Sequence, residues 1–324
     1  MKAATWTGVN EVSVEDVPEP QILNNHDVIL TIHRTVTCGS DLHLLGGYIP
    51  FMRAGDVLGH EFVGEIVEVG PAVRQRKVGD RVVVPSFLAC GNCWYCKQEL
   101  YSLCDNGNPD PGITEGLWGQ SPGGCFGYSH AFGGFAGSHA EYMRIPYADV
   151  GCFVVPDEVS DTRALFASDS VTTGWTGAEL GGARPGDTVA VWGAGAVGQM
   201  AARAAMLLGA EQVVVIDRIP EHLEQVRRHI GAETVDYSTT DVVAELRERT
   251  PAAAAPTSAS RPWAWRRTVP DRRASTTRSS SRCGCKPTGR PPSGRRSGPA
   301  ARAAACSCWA SSPSGLLHSR LICD

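Results

Sequence analysis

After Thr250 this chain stops supplying the residues from which a buried core is made. Only five of residues 251–324 are Val, Ile, Leu, Phe or Met, against 12 Arg, 13 Ser, 13 Ala and 9 Pro. So few large aliphatics cannot build buried strands, and any packed sheet has to be found in residues 1–250. The charge breaks at the same point: 17 Lys and Arg face 32 Asp and Glu before it, a net of −15, and 13 face 2 after it, a net of +11. The whole-chain value of −4 therefore averages two unlike polymers. A length of 324 residues suffices for about two domains and a sizeable core, which excludes a disulfide-stapled miniprotein.

A basic, disordered, nucleic-acid-binding extension is one reading of the tail. The genetic code offers another. Trp is TGG and Cys is TGT or TGC, so a frame starting one base earlier turns each into NTG, which encodes Leu, Met or Val. The eight Trp and Cys residues of the tail, among them Trp263, Trp265, Cys283 and Cys285, would then hide eight large apolar residues. We read residues 251–324 as an aberrant basic tail translated one base out of frame. On that reading Cys283, Cys285, Cys306 and Cys308 receive no metal and the arginines no nucleic-acid partner.

Before the break, short β-rich runs such as 28–32 and 62–69 alternate with Gly, Pro and Asp punctuation, which predicts a β-rich domain over residues 1–155. Residues 85–145 are rich in Gly, aromatics and Cys and lack periodicity, so they are expected to be long loops that need an organiser such as a metal. From Asp157 helix and strand signals alternate. The runs 189–192 and 213–216 are of the buried parallel-strand kind, and a helix is expected from Pro220 to just before Gly231. The class is therefore α/β, with residues 156–250 forming the first half of a Rossmann-type parallel-sheet domain. Segment 188–210, the most apolar, carries Gln199, Arg203 and glycines and is no membrane span. The N-terminal residues 1–18 are acidic, with no apolar run of the signal-peptide kind.

Cys90-x2-Cys93-x2-Cys96-x7-Cys104 is the strongest local signal. Four thiolates at these separations can converge on one tetrahedral zinc, and four ligands close the shell, so this lobe, about 88–106, reads as a structural site in a reducing cytoplasm. An iron–sulfur run would end C-x3-C-P, whereas here the last gap is seven residues and Asp105 follows. Haem attachment fails because Lys97, not His, follows Cys96.

A dispersed constellation comprises Cys38-Gly39-Ser40-Asp41-x-His43, Gly59-His60-Glu61 and Asp169. Further on, Thr188-Val-Ala-Val-Trp192 runs into Gly193-Ala194-Gly195-Ala196-Val197-Gly198 and an Ala-rich helical stretch. Glycines there permit a tight turn and close backbone approach to a pyrophosphate at a helix N-terminus. Asp217 follows Gly198 by nineteen positions, where a carboxylate accepts from ribose hydroxyls and disfavours a 2′-phosphate. The spacing favours NAD over NADP, although Arg218 beside it could accommodate the phosphate.

Taken together, these motifs resemble the zinc-dependent alcohol dehydrogenases of the medium-chain dehydrogenase/reductase superfamily. Tyr101-Ser102-Leu103-Cys104-Asp105, Phe126-Gly127-Tyr128-Ser129-His130 and Asp169 are most similar to the branch with glutathione-independent formaldehyde dehydrogenases. The resemblance covers residues 1–250 and implies a GroES-like catalytic domain, two zinc ions per chain, NAD, a small alcohol or aldehyde substrate, and a homo-oligomer for the intact family member. It also implies a catalytic zinc held by Cys38, His60 and Asp169, with Asp41 behind His60 and Glu61 close enough to tune the ion. Asp169 has a second reading, as a helix cap before Thr172-Thr173-Gly174. Zinc lowers the pKa of a bound alcohol as it lowers that of bound water, which it brings to about 7. In the family's pattern Ser40 passes the released proton toward His43 and solvent; otherwise His43 is a plain surface histidine. Trp118, Phe126 and Phe132 either line an apolar substrate pocket or only pack the loop. The alternative to an oxidoreductase is a truncated, inactive zinc-binding remnant of one.

Overall fold

The computed structural model describes residues 1–249, so the tail, with its displaced-frame reading and its four paired cysteines, lies outside the described residues. Eight strands come first: β1 (Lys2–Gly8), β2 (Glu11–Asp16), β3 (Val28–Val36), β4 (Asp56–Val57), β5 (Glu61–Val69), β6 (Arg81–Val84), β7 (Tyr142–Ile145) and β8 (Phe153–Val154). They form an antiparallel sheet of order β2-β1-β4 and a second of order β7-β3-β5-β6-β8. Period-two alternation decides which side chains meet. Val28 and Leu30, Phe62 and Ile66, and Val82 and Val84 turn to one face, where Phe126, Met143 and Ile145 complete the core. On the other face Val63 meets Val155, Ala164 and Leu165. Those last two residues belong to the helix Asp161–Leu165, which brings the following chain back against the sheet that carries His60 and Glu61.

Residues 85–141 are largely irregular, as expected of 85–145, but the last four residues of that stretch, Tyr142–Ile145, form β7 because they pair with residues 28–31 of β3. Short helices at Trp94–Lys97 and Gly112–Trp118 and 3₁₀ turns at Tyr101–Leu103 and His130–Phe132 interrupt the loops. Beyond them the helix Ser170–Leu180 packs on the helix Ala196–Leu207, and Gly174 permits the approach, since a Cβ there would lie 2.7 Å from Ala201 N. Three parallel strands follow: β9 (Thr188–Trp192), β10 (Gln212–Asp217) and β11 (Glu233–Asp236), in the order β11-β10-β9. The helix begun by Pro220 continues as a π turn over Val226–Ile230 and ends at Gly231, whose φ of +79° closes it.

One expectation needs correcting. The apolar run of β9 reads as a buried strand, yet it is only half-buried and Trp192 is 49% exposed, whereas Val213 to Ile216 of β10 are sealed. The reason is topological: among the described residues β10 has a partner on each side and β9 pairs with β10 alone. No helix among the described residues is long and apolar enough to cross a membrane.

Candidate metal and dinucleotide sites

The four thiols of the Cys90 lobe lie within 4.8 Å of one another. Cys90 and Cys96 Sγ are 4.0 Å apart and Cys93 and Cys104 Sγ 3.9 Å, close to the edge of about 3.8 Å for a tetrahedron with Zn–S bonds of about 2.3 Å. They are free cysteines, not disulfides. Backbone N–H groups point at the sulfurs: those of Asn92 and Cys93 donate to Cys90 Sγ at 3.4 Å, and that of Cys90 donates to Cys104 Sγ at 3.2 Å. Asn106 Nδ2 donates to Cys90 at 3.3 Å. Burial opposes ionisation of Cys90, but these donors outweigh it and bring its thiol down to about 6. For Cys96 burial prevails and the thiol is pushed up to about 11; Cys104 is raised further by the same cause. The donor chemistry and the spacing both fit zinc.

The second cluster is assembled from three segments. Cys38 caps the helix Gly39–Leu45, and Asp41, three residues on, reaches back so that its Oδ2 accepts from Cys38 N at 2.8 Å. Asp41 Oδ1 lies 3.2 Å from Nδ1 of His60, which leaves His60 Nε2 to face the cluster. One carboxylate, 2% exposed, thus holds two candidate ligands. Burial alone would raise its pKa; the hydrogen bond and charge of His60 and the Cys38 N–H reverse the sign and lower it. Burial likewise opposes a charge on His60, yet its contacts with Asp41 and Cys38 and the charges of Asp41 and Asp169 raise it to about 11. A metal bound at His60 would have to displace a proton, and such binding would weaken as the pH falls.

Cys38, His60 and Glu61 offer donor atoms within 4.8 Å of one another. Asp169 stands outside that triplet but close by, with Oδ2 3.7 Å from His60 Nε2, a separation that two ligands of one zinc can share. Asp169 does occupy the position before the helix Ser170–Leu180, but its carboxylate makes no backbone capping bond. It accepts instead from the Thr173 hydroxyl and turns toward His60. Glu61, 1% exposed, accepts from the Ser170 hydroxyl, a partner that sequence reasoning missed although it adjoins Asp169. Ser40 Oγ lies 3.9 Å from Cys38 Sγ, and His43, three residues further along the same helix, shares that face half-buried. Replacing Asp41 with Ala should weaken metal binding at Cys38 and His60 by about 10- to 100-fold, because both lose their orienting partner. Unchanged affinity in a zinc competition titration would contradict this.

The glycine loop fits a dinucleotide. Gly193 has φ +96°, and a Cβ on Gly198 would lie 1.9 Å from Gly193 O, so the third glycine is demanded by the protein's own backbone. At Gly195 a Cβ would meet nothing, which leaves open space before the helix Ala196–Leu207, whose first residues, Val197 among them, have N–H groups uncapped by any side chain. Asp217 ends β10 and accepts from Ala194 N at 2.6 Å, Arg218 N at 2.6 Å and Ile219 N at 3.1 Å. Burial tends to raise its pKa, but these donors lower it, so the carboxylate stays ionised beside the loop.

The aromatic residues divide. Phe126 is core, edge-on to Phe62 at 5.8 Å and to Phe135 at 6.1 Å. Trp118 and Phe132, together with Tyr128, Ile49 and Leu117, line a cavity of about 40 Å³, and Tyr128 sits edge-on to His60 with ring centres 6.5 Å apart.

Comparison with known proteins follows this geometry. Residues 24–157 match the alcohol dehydrogenase GroES-like domain, and residues 167–258 match the alanine dehydrogenase/PNT C-terminal domain. The alcohol dehydrogenase TADH from Thermus sp. ATN1 superposes with a TM-score of 0.68 at 38% identity, covering 77% of this chain and 67% of that one. The chain belongs to the zinc-type alcohol dehydrogenase family. A zinc-type alcohol dehydrogenase-like protein of Schizosaccharomyces pombe is 38% identical over 250 residues, 76% of this chain and 59% of its own length. A glutathione-independent formaldehyde dehydrogenase of Bacillus subtilis is 37% identical over 267 residues, 76% of this chain and 62% of its own. The chain thus spans about six tenths of the length of these curated relatives.

Proposed function

We propose that the chain carries the site of a zinc-dependent oxidoreductase that transfers a hydride between a small alcohol or aldehyde and NAD. The convergence of Cys38, His60 and a carboxylate beside an apolar cavity supports this most directly. Zinc would be held by Cys38, His60 and Asp169 at the catalytic position and by Cys90, Cys93, Cys96 and Cys104 in the lobe. When bound, zinc supplies the Lewis acidity that makes an alcohol hydroxyl acidic near neutral pH, and NAD supplies the hydride acceptor.

The protein's own groups do the rest. Asp41 fixes the ring of His60 and the backbone of Cys38, so both donors keep their direction without reorganising. Ser40 and His43, on one helix face, carry the released proton outward. Tyr128, Phe132 and the half-exposed Trp118 wall a small apolar cavity, which favours a substrate of few heavy atoms. Gly193, Ala194, Gly195, Val197 and Gly198 shape the pyrophosphate cradle. Asp217 receives ribose hydroxyls, which favours NAD over NADP, with Arg218 exposed beside it. The free thiols suit a reducing cytoplasm.

Fluorescence titration of the full chain with NADH is the direct test, with saturable binding at micromolar concentration expected. Binding followed by reduction of NAD with a short-chain alcohol supports turnover by this chain. Absence of binding leaves the second reading, a zinc-binding remnant without turnover.

A further inference from the structure

We propose that Ser170 is a positioning residue that holds the Glu61 carboxylate off the metal and so keeps one coordination position open. The inference rests on the catalytic reading of the Cys38 cluster. That cluster has more donors than a catalytic site needs: Cys38, His60 and Glu61 lie within 4.8 Å of one another, and Asp169 Oδ2 is 3.7 Å from His60 Nε2. Four protein ligands would close a tetrahedral shell, as in the Cys90 lobe, whereas three leave a position for substrate. One donor has to be kept out.

Asp169 also accepts a hydroxyl, that of Thr173, but on Oδ1, which leaves Oδ2 turned to His60; Glu61 is the donor whose hydroxyl partner comes from a distant segment. It is 1% exposed, and a carboxylate so far from water requires a hydrogen-bond donor or a cation. Ser170 Oγ, itself 1% exposed, donates to Glu61 Oε2 at 2.7 Å. A neutral hydroxyl satisfies the carboxylate without cancelling its charge, so Glu61 still contributes to the field at the ion. Ser170 also opens the helix Ser170–Leu180 directly after Asp169. The same step of chain thus delivers the Asp169 carboxylate toward His60 and a hydroxyl to Glu61 from 109 residues away. An aliphatic side chain at 170 would remove that donor and leave the ion as the best partner within reach.

The test uses the full chain with cobalt in place of zinc and imidazole as the exogenous ligand, read from the visible cobalt spectrum. Parent and Ser170→Thr are expected to bind imidazole alike. Ser170→Ala is expected to bind it about tenfold more weakly, because Glu61 fills the open position. Adding Glu61→Gln to Ser170→Ala should restore binding. The proposal is overturned if Ser170→Ala titrates like the parent, or if the double variant stays as weak as the single one, which would mark the serine as merely structural. Cys38→Ser separates the two levels of inference. If it leaves the cobalt spectrum unchanged, the metal-site reading fails and the proposal with it; if it removes part of the spectrum while Ser170→Ala is silent, the proposal alone fails.

Discussion

Replacement of Cys104 with Ser is expected to release one zinc per chain and to unfold the Cys90 lobe. Cys104 is 2% exposed and its sulfur accepts from Cys90 N, so the variant loses a ligand and disturbs the turn that aligns the other thiols. The segment has little else to hold it, because the buried residues of its cluster are Ala89 and three of the four cysteines themselves. Structural zinc sites supply about 10–16 kcal/mol of apparent binding free energy in isolated peptides, and here that energy would maintain a loop with few buried apolar residues of its own. A loss of about 3 kcal/mol in the whole protein would lower Tm by about 6–12 °C at this size. Metal analysis and calorimetry read both effects, and a variant with the parent's zinc content and melting curve would contradict the assignment. Chelation should reproduce the change. So should acid, since Cys96 and Cys104, whose pKa values burial raises, give up protons when they bind metal and recover them as the pH falls.

Gly198→Ala is expected to abolish NADH binding, and Gly195→Ala to impair it for a different reason. At 198 the new methyl would lie 1.9 Å from the Gly193 carbonyl oxygen, which is backbone and cannot swing aside. The turn between β9 and the helix must open, at about 1–3 kcal/mol, and both binding and Tm should fall. At 195 the methyl meets no protein atom, so Tm should hold. It would nevertheless occupy the space in front of the helix N-terminus, and NADH affinity should drop by at least about tenfold, or about 1.4 kcal/mol. Titration beside thermal melting separates the two. Parent-like affinity in Gly195→Ala would remove the loop from the cofactor site.

Much of this architecture is legible without coordinates, and particular residues show why. The alternation in β3, β5 and β6 and the Pro220 to Gly231 helical segment are short-range patterns, set by backbone geometry within a few residues. The four cysteines are legible for the same reason: they lie within fifteen residues, and their thiols converge within 4.8 Å of one another. Phe126 is less so, because an aromatic in an irregular loop has no period to reveal which way it faces, and here it faces the core. Trp192 ends an apolar run as a buried residue would, yet it is exposed on a strand that, among the described residues, pairs with β10 alone.

By itself the sequence determined which cysteines converge, where a strand enters a glycine turn and which class of fold results. These are consequences of composition and local spacing, which tertiary contacts do not revise. Only the tertiary structure decided the partners of the carboxylates: Asp41 divided between Cys38 and His60, Asp169 turned from its capping position toward His60, and Glu61 held by Ser170. A carboxylate is short and carries no periodicity, and in a buried site it takes whichever donor the fold brings within about 3 Å. That donor can lie more than a hundred residues away, as Ser170 does from Glu61, so its choice follows from where the helix Ser170–Leu180 begins beside the Cys38 cluster.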